Sequence, residues 1–296
     1  MPRALAPSEL VIRADGSIYH LNLQPEDIAD TIITVGDPER VKQVSKHFDR
    51  IDLRKQKREF VTHTGYLGPK RLTVISTGIG PDNIDIVLNE LDALANIDFA
   101  TRHIKAVHRQ LSLIRLGTSG CLQPDIDVEQ LVFSSYGLGL DNLLYFYGYH
   151  AAEQVHSLQE ALSAHLSQMG YPLPVHPYLV GGSSLLLDAL AHNDKRGITV
   201  TAPGFYAPQG RQLRLNSLMS AETLDALASF SHAKARITNF EMETSALYGL
   251  SQLMGHQALS CSVILANRSQ GTFSTDPGAA VEKMIVKMLS RISEIG

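Results

Sequence analysis

Short apolar runs alternate along the chain with stretches whose apolar residues recur every three or four positions. Thr31-Ile-Ile-Thr-Val35 has the pattern of a short buried strand, and Val41, Val44 and Phe48 follow it at helical spacing. Arg71 to Thr77 predicts a second strand. Ile84, Val87, Leu88, Leu91, Leu94 and Ala95 then form the apolar stripe of an amphipathic helix. Further strands are predicted at Leu113–Leu116, Leu131–Ser134, Ile198–Thr201 and Ser262–Ala266. Val155, Leu158, Leu162 and Leu166 mark a helix, Ser184 to Leu190 begins another, and Ala246, Leu250, Leu253 and Met254 share one face of a third that Gly255 should stop. Asp276-Pro277 opens a last helix with a stripe of Val281, Met284, Ile285, Met288, Leu289 and Ile292. No repeat or linker breaks the alternation, so the pattern predicts one α/β domain over residues 17–296 with a buried sheet. Residues 1–16, with Pro2, Pro7 and Gly16, read as a loose N-terminal arm. Residues 98–110 read as a basic surface cover. Residues 137–149, rich in glycine and aromatics, read as a loop lining a pocket or interface, and residues 202–211 as a loop by composition.

Composition narrows the function classes. A chain of 296 residues, 44% hydrophobic and 19% charged, can bury a large core, and its formal net charge of -4 gives no general attraction to nucleic acid or anionic membrane. No apolar run reaches the roughly 20 residues of a membrane span. The first residues lack the apolar core of a signal peptide, which leads us to expect a cytoplasmic protein. Cys121 and Cys261 lie in apolar surroundings and read as buried, reduced thiols. The 12 histidines show no metal-binding spacing.

Four stretches carry candidate chemistry. Gly36-Asp-Pro-Glu-Arg40 follows a strand and opens a helix. Asp37 suits the cap and Pro38 the first helical position, while the free N–H groups of a helix start favour an anion. Arg40 in that first turn runs against the helix dipole, so a bound anion explains it better than helix stability does. Arg115, at the end of a predicted strand, leads into Gly117-Thr-Ser-Gly120, two hydroxyls flanked by glycines that resemble an anion cradle. Gln209 and Arg211 offer an amide and a fork of N–H donors, suited to a planar heterocycle. Phe240-Glu-Met-Glu243 places Glu241 and Glu243 before a helix, where they either rest on the helix dipole or face the hydroxyls of a sugar. His20 reads as half-exposed, and Lys55–Phe60 as a solvated basic edge.

In this order, Gly36–Arg40, Ser76-Thr-Gly-Ile-Gly80, Arg115–Gly120 and Phe240–Glu243 resemble the nucleoside phosphorylase family of hexameric bacterial enzymes. Phe205-Tyr-Ala-Pro-Gln-Gly-Arg211 is similar to the pyrimidine-recognition loop of its uridine phosphorylases. The resemblance covers roughly residues 17–292. It implies a mixed α/β sheet partly closed into a distorted barrel, a hexamer built as a trimer of dimers, and reversible phosphorolysis of a nucleoside to base and ribose 1-phosphate. It further implies that Gly36, Arg40, Arg115 and Thr118 bind phosphate and that Met242 and Glu243 bind ribose. Phe205, Gln209, Arg211 and Arg268 would bind the base. Arg58 and His20 would reach the phosphate and the ribose of a neighbouring subunit. Phosphate is then a co-substrate, and no redox cofactor or catalytic metal is expected. The family's interface potassium site would use Glu59 and Ile79, but its serine is Asn83 here. Ala207-Pro208 stands where the family has Pro-Gly, and Ser119 replaces a threonine. A purine nucleoside phosphorylase, a nucleosidase and a non-catalytic nucleoside-binding protein are the alternatives.

Overall fold

Apolar runs that are buried on both faces need neighbours on every side, and the chain supplies them by wrapping helices around one sheet. The computed structural model describes residues 3–295. β1 (Thr31–Val35) is almost wholly buried and feeds α1 (Pro38–Ser45). Asp37 caps α1 by accepting the Glu39 N–H at 2.8 Å, and Pro38 stands in its first turn. β2 (Arg50–Lys57), β3 (Phe60–Leu67) and β4 (Lys70–Ser76) make an antiparallel meander, with the basic Lys55–Lys57 stretch on its edge strand. α2 (Pro81–Asn96) buries the predicted stripe. A two-stranded hairpin of β5 (Ile97–Asp98) and β6 (His103–Ile104) follows. Next come β7 (Ser112–Cys121), β8 (Leu131–Gly139), α3 (Glu153–Met169), β9 (Tyr178–Gly181), α4 (Ser184–Ala191) and β10 (Lys195–Thr201). The chain ends with α5 (Ala221–Ser229), β11 (Ser231–His232), β12 (Ala235–Glu241), α6 (Thr244–Leu253), β13 (Gln257–Asn267), β14 (Thr272–Phe273) and α7 (Pro277–Glu294).

The strands form a mixed sheet in the order β11-β12-β10-β8-β13-β7-β1-β4-β3-β2, with β9 and β14 as side branches. β12 also pairs with β7, Asn239 opposite Cys121 and Phe240 opposite Gly120. That pairing closes β12, β10, β8, β13 and β7 into a five-stranded barrel. One apolar core lies between the sheet and α2 and α6; a second lies under α1, α4 and α7, where the whole predicted α7 stripe is buried. Both cysteines are buried and free. Among the described residues no helix is long and apolar enough to cross a membrane.

Three expectations change. Gly117-Thr-Ser-Gly120 is not a loop after a strand, because β7 runs on to Cys121 and uses these residues to pair with β13 and β12. Gly137–Gly139 likewise belong to β8, which is longer than its apolar run because its glycines pack against neighbours: a Cβ on Gly139 would meet the Tyr178 ring. Residues 3–16 are not loose. Arg102 donates to the carbonyls of Leu5, Ala6 and Leu10, Leu5 donates back to Arg102, and Leu10 is buried. One guanidinium with several donors satisfies carbonyls that no strand or helix would. Met1 and Pro2 of the arm lie outside the described residues.

Candidate active site

Residues at and just beyond the C-terminal ends of β1, β4, β7, β10, β12 and β13 enclose a cleft of about 880 Å³. Such a volume suits a small-molecule ligand, and strand ends are where an α/β sheet places one.

One end of the cleft is built for an anion. Gly36 and Arg40 come from the β1–α1 joint, and Arg115 and Thr118 from β7; all four line the cleft. Arg40 donates to the Leu116 carbonyl at 3.3 Å. Arg115 is only 5% exposed, and its Nη2 contacts a carboxylate oxygen of Glu243 and lies 3.2 Å from Glu241. Its Nη1 is buried and has no protein partner. Gly117 is required for this pose, since a Cβ there would lie 1.9 Å from Nη1. Burial pulls the Arg115 guanidinium down, but Glu243 and Glu241 outweigh it and hold the group above its ordinary value. For Arg40, burial and then the Arg115 charge lower the pKa. Burial pushes Glu243 up, Arg115 opposes this, and Glu241 adds to it. Glu243 also accepts the Gly80 N–H at 2.9 Å, and Met242, beside it in the chain, is another lining residue.

The other end is built for a planar polar group. Ala207–Gln209 form a single 3-10 turn that ends on Gly210 at φ 71, where a Cβ would sit 2.7 Å from Leu224. Gln209 is buried. Its Oε1 accepts from Arg211 at 2.6 Å and from Arg268 at 3.3 Å, which leaves the amide nitrogen as its ligand-seeking atom. Arg211 also donates to the Phe205 carbonyl and lies over the Phe205 ring at 3.8 Å. Arg268 donates to the Gln209 backbone oxygen as well, so it braces Gln209 from behind and does not line the cleft. Burial and the Arg211 charge bring Arg268 down to about 10, so it is still charged at neutral pH.

Two expected residues lie elsewhere. His20 hydrogen-bonds Glu90 of α2 at 2.7 Å, and Arg58 occupies the β2–β3 turn at φ 53; neither lines this cleft. Ser119 and Glu241, named within the candidate motifs but given no ligand by the resemblance, also line it, as do Phe240 and, singled out by nothing in the sequence, Leu265, Ala266 and Phe273. Glu241 was visible as a carboxylate before a helix, but nothing in the sequence tied it to Arg115. Phe273 follows a positive-φ glycine, Gly271, a turn signal that could have been read.

Two groups bear on cations. Glu59, Ile79 and Asn83 all line the cleft, and the Asn83 amide donates to the Ile79 carbonyl at 3.4 Å. Asp92, His108 and His256, unrelated in sequence spacing, come within 4.8 Å of one another. His256 Nδ1 accepts the Leu111 N–H at 3.2 Å, which leaves its proton on Nε2, facing Asp92 at 3.2 Å. A protonated ring nitrogen has no lone pair for a metal.

Comparison with known proteins agrees with this geometry. The chain is 28% identical to uridine phosphorylase of Thermococcus kodakarensis over 95% of its own length and 89% of that protein. It is 32% identical to a DeoD-type purine nucleoside phosphorylase of a Thermoanaerobacter species, but over only 39% of this chain and 44% of that one. The crystal structure of a Trypanosoma brucei nucleoside phosphorylase that shows uridine phosphorylase activity superposes with a TM-score of 0.86 at 27% identity, covering 97% of this chain and 100% of that one. The sequence profile of the phosphorylase superfamily matches residues 30–295, and the chain belongs to that family.

Proposed function

We propose that the chain catalyses the reversible phosphorolysis of a pyrimidine nucleoside, uridine plus phosphate giving uracil plus ribose 1-phosphate. The observation that carries this is one cleft with an arginine pair at one end, Glu243 in the middle and the Gln209–Arg211 pair at the other. Phosphate lies against Arg40, Arg115 and Thr118, and the forked donors hold it in line with C1′ of the sugar. Glu243 and Met242 hold the ribose. The bond from C1′ to N1 breaks with its electron pair going to the base, and a phosphate oxygen closes on C1′. Gln209 and Arg211 donate to the pyrimidine as it becomes anionic, and the base then takes a proton from solvent. Phosphate is the co-substrate, and the reaction as drawn uses no metal or redox cofactor. The position of His20 and Arg58 outside this cleft supports the reading that they serve a neighbouring subunit in a dimer-based oligomer, which we take to be a hexamer of the cytoplasm.

The purine alternative has one supporting observation, the partial relative, and one against it. A purine needs a proton donor at its imidazole ring, and the acid would stand at the end of β13. There Asn267 is buried and donates to the Gln123 and Ile126 carbonyls, so it belongs to the scaffold. The test is release of free base from uridine, thymidine, inosine and adenosine, each with and without phosphate. We expect phosphate-dependent uracil release to dominate. Faster release from inosine would overturn the pyrimidine assignment, and release indifferent to phosphate would overturn phosphorolysis.

A further inference from the structure

Two carboxylates share one buried arginine in the cleft, but they are held very differently. Glu241 is 4% exposed and accepts hydrogen bonds from the Glu243 N–H at 2.9 Å and the Thr244 N–H at 3.0 Å. It also accepts from the Thr201 hydroxyl at 2.7 Å, while its Oε2 lies 3.2 Å from Arg115. Thr201 in turn accepts the Ser245 N–H at 2.9 Å. Glu241 therefore knots the end of β10, the start of α6 and the anion-end arginine of β7. Glu243 has only the Gly80 N–H and Arg115 as donors. An acceptor with four donors stays put, whereas one with two can exchange a partner.

Resting on the phosphorolysis reading, we propose that Glu241 is a positioning residue. It is the fixed counter-ion that keeps the Arg115 guanidinium turned into the anion site while Glu243 exchanges Arg115 for the sugar hydroxyls. Without it, Arg115 would swing wholly onto Glu243, and both phosphate and ribose would lose a correctly placed partner. Displacing one reactant-holding group by about 1 Å can cost on the order of 10²-fold in rate.

The experiment uses the full chain and the variants Glu241→Gln and Glu241→Asp. It reads steady-state kcat, direct calorimetric binding of inorganic phosphate, melting temperature, and the pH dependence of kcat/KM for phosphate-dependent uracil release. The charged groups facing Glu243 are Arg115, Glu241 and Arg40. Glu241→Gln removes one of the two negative charges. We expect kcat to fall by about tenfold or more, phosphate to bind more weakly, and the acid limb to move to lower pH as Glu243 loses the neighbour that holds its proton on. Glu241→Asp keeps a carboxylate able to cap α6 but withdraws it from Arg115. We expect it to keep the wild-type melting temperature and lose activity, which makes it the deciding variant should Glu241→Gln not fold. Wild-type kcat in Glu241→Asp, or an unmoved acid limb with unchanged phosphate binding in Glu241→Gln, would show a purely structural cap and overturn the proposal. Absence of phosphate-dependent turnover in the wild type would instead defeat the reaction assignment, and the phosphate calorimetry would still read the role of Glu241.

Discussion

The two ends of the cleft are made from different materials. The anion end stands on β1, β7 and the first turns of α1 and α6; Arg115 and Glu243 are 5% and 3% exposed, and Glu243 is held both by Arg115 of β7 and by the Gly80 N–H at the start of α2. The base end hangs on the loop after β10. There Phe205 is 50% exposed, and the segment that continues past Arg211 leaves Leu213, Leu215 and Leu218 in solvent. Of Phe205, Gln209 and Arg211 only Gln209 is buried, and two arginines brace it. A strand-borne site is preorganised by the core and resists change. A loop-borne one can alter its substrate without disturbing the fold. The contrast suggests that reaction chemistry resides at the first end and substrate choice at the second.

The sharpest way to break that comparison is Arg115→Lys. Lysine keeps the charge, but it loses the planar fork that reaches Glu241, Glu243 and the anion together. We expect kcat/KM to fall about 10²–10³-fold, the scale of losing one preorganised donor, and by the same factor for every nucleoside cleaved. A loss confined to uridine would mean the anion end also selects the base. Gln209→Leu is the complementary change. It removes the amide and takes one of their acceptors from the neighbouring arginines, so about 10²-fold should be lost on uridine. Phosphate binding, read by calorimetry, should be unchanged. Weakened phosphate binding in this variant would show that the two ends are coupled.

The same contrast explains what could be read from the chain. The β1–α1 joint was legible because Gly36, Asp37, Pro38 and Arg40 act within a few residues of one another, and so do the cap and stripe of α7. Arg115 was legible as an arginine leaving an apolar run. Its partners were not, because Glu241 and Glu243 are brought to it only when β12 closes the barrel against β7. Length of strand misled at Gly117–Gly120 and Gly137–Gly139, where glycine reads as a break locally but serves close packing in the folded sheet. For Arg268, the expected base contact came from the family resemblance. Its position behind Gln209 depends on the path of the loop after β10, which no local pattern records. The tie between Arg102 and the N-terminal residues joins segments about ninety positions apart and left no trace in periodicity.

The smallest effect tests the loop itself. Pro208 sits in the 3-10 turn that presents Gln209, and a Cβ on Gly204 would lie 3.0 Å from its ring, so the ring packs closely on the loop's own backbone. The turn is otherwise held by the Arg211 N–H to the Tyr206 carbonyl at 2.9 Å and by the Ser217 hydroxyl to the Ala207 carbonyl at 2.7 Å. Neither bond uses Pro208, so Pro208→Gly should leave the turn formed when ligand is bound. What changes is the unbound loop, which gains backbone freedom that must be lost again on binding. Such a change is worth about 0.4–1 kcal/mol, or about two- to fivefold in affinity at 1.4 kcal/mol per tenfold. The KM for uridine should rise by that factor, with kcat, phosphate affinity and melting temperature near their wild-type values. An equal fall in phosphate affinity would mean that the loop is part of one rigid site with the anion end, and the division between the two ends would dissolve.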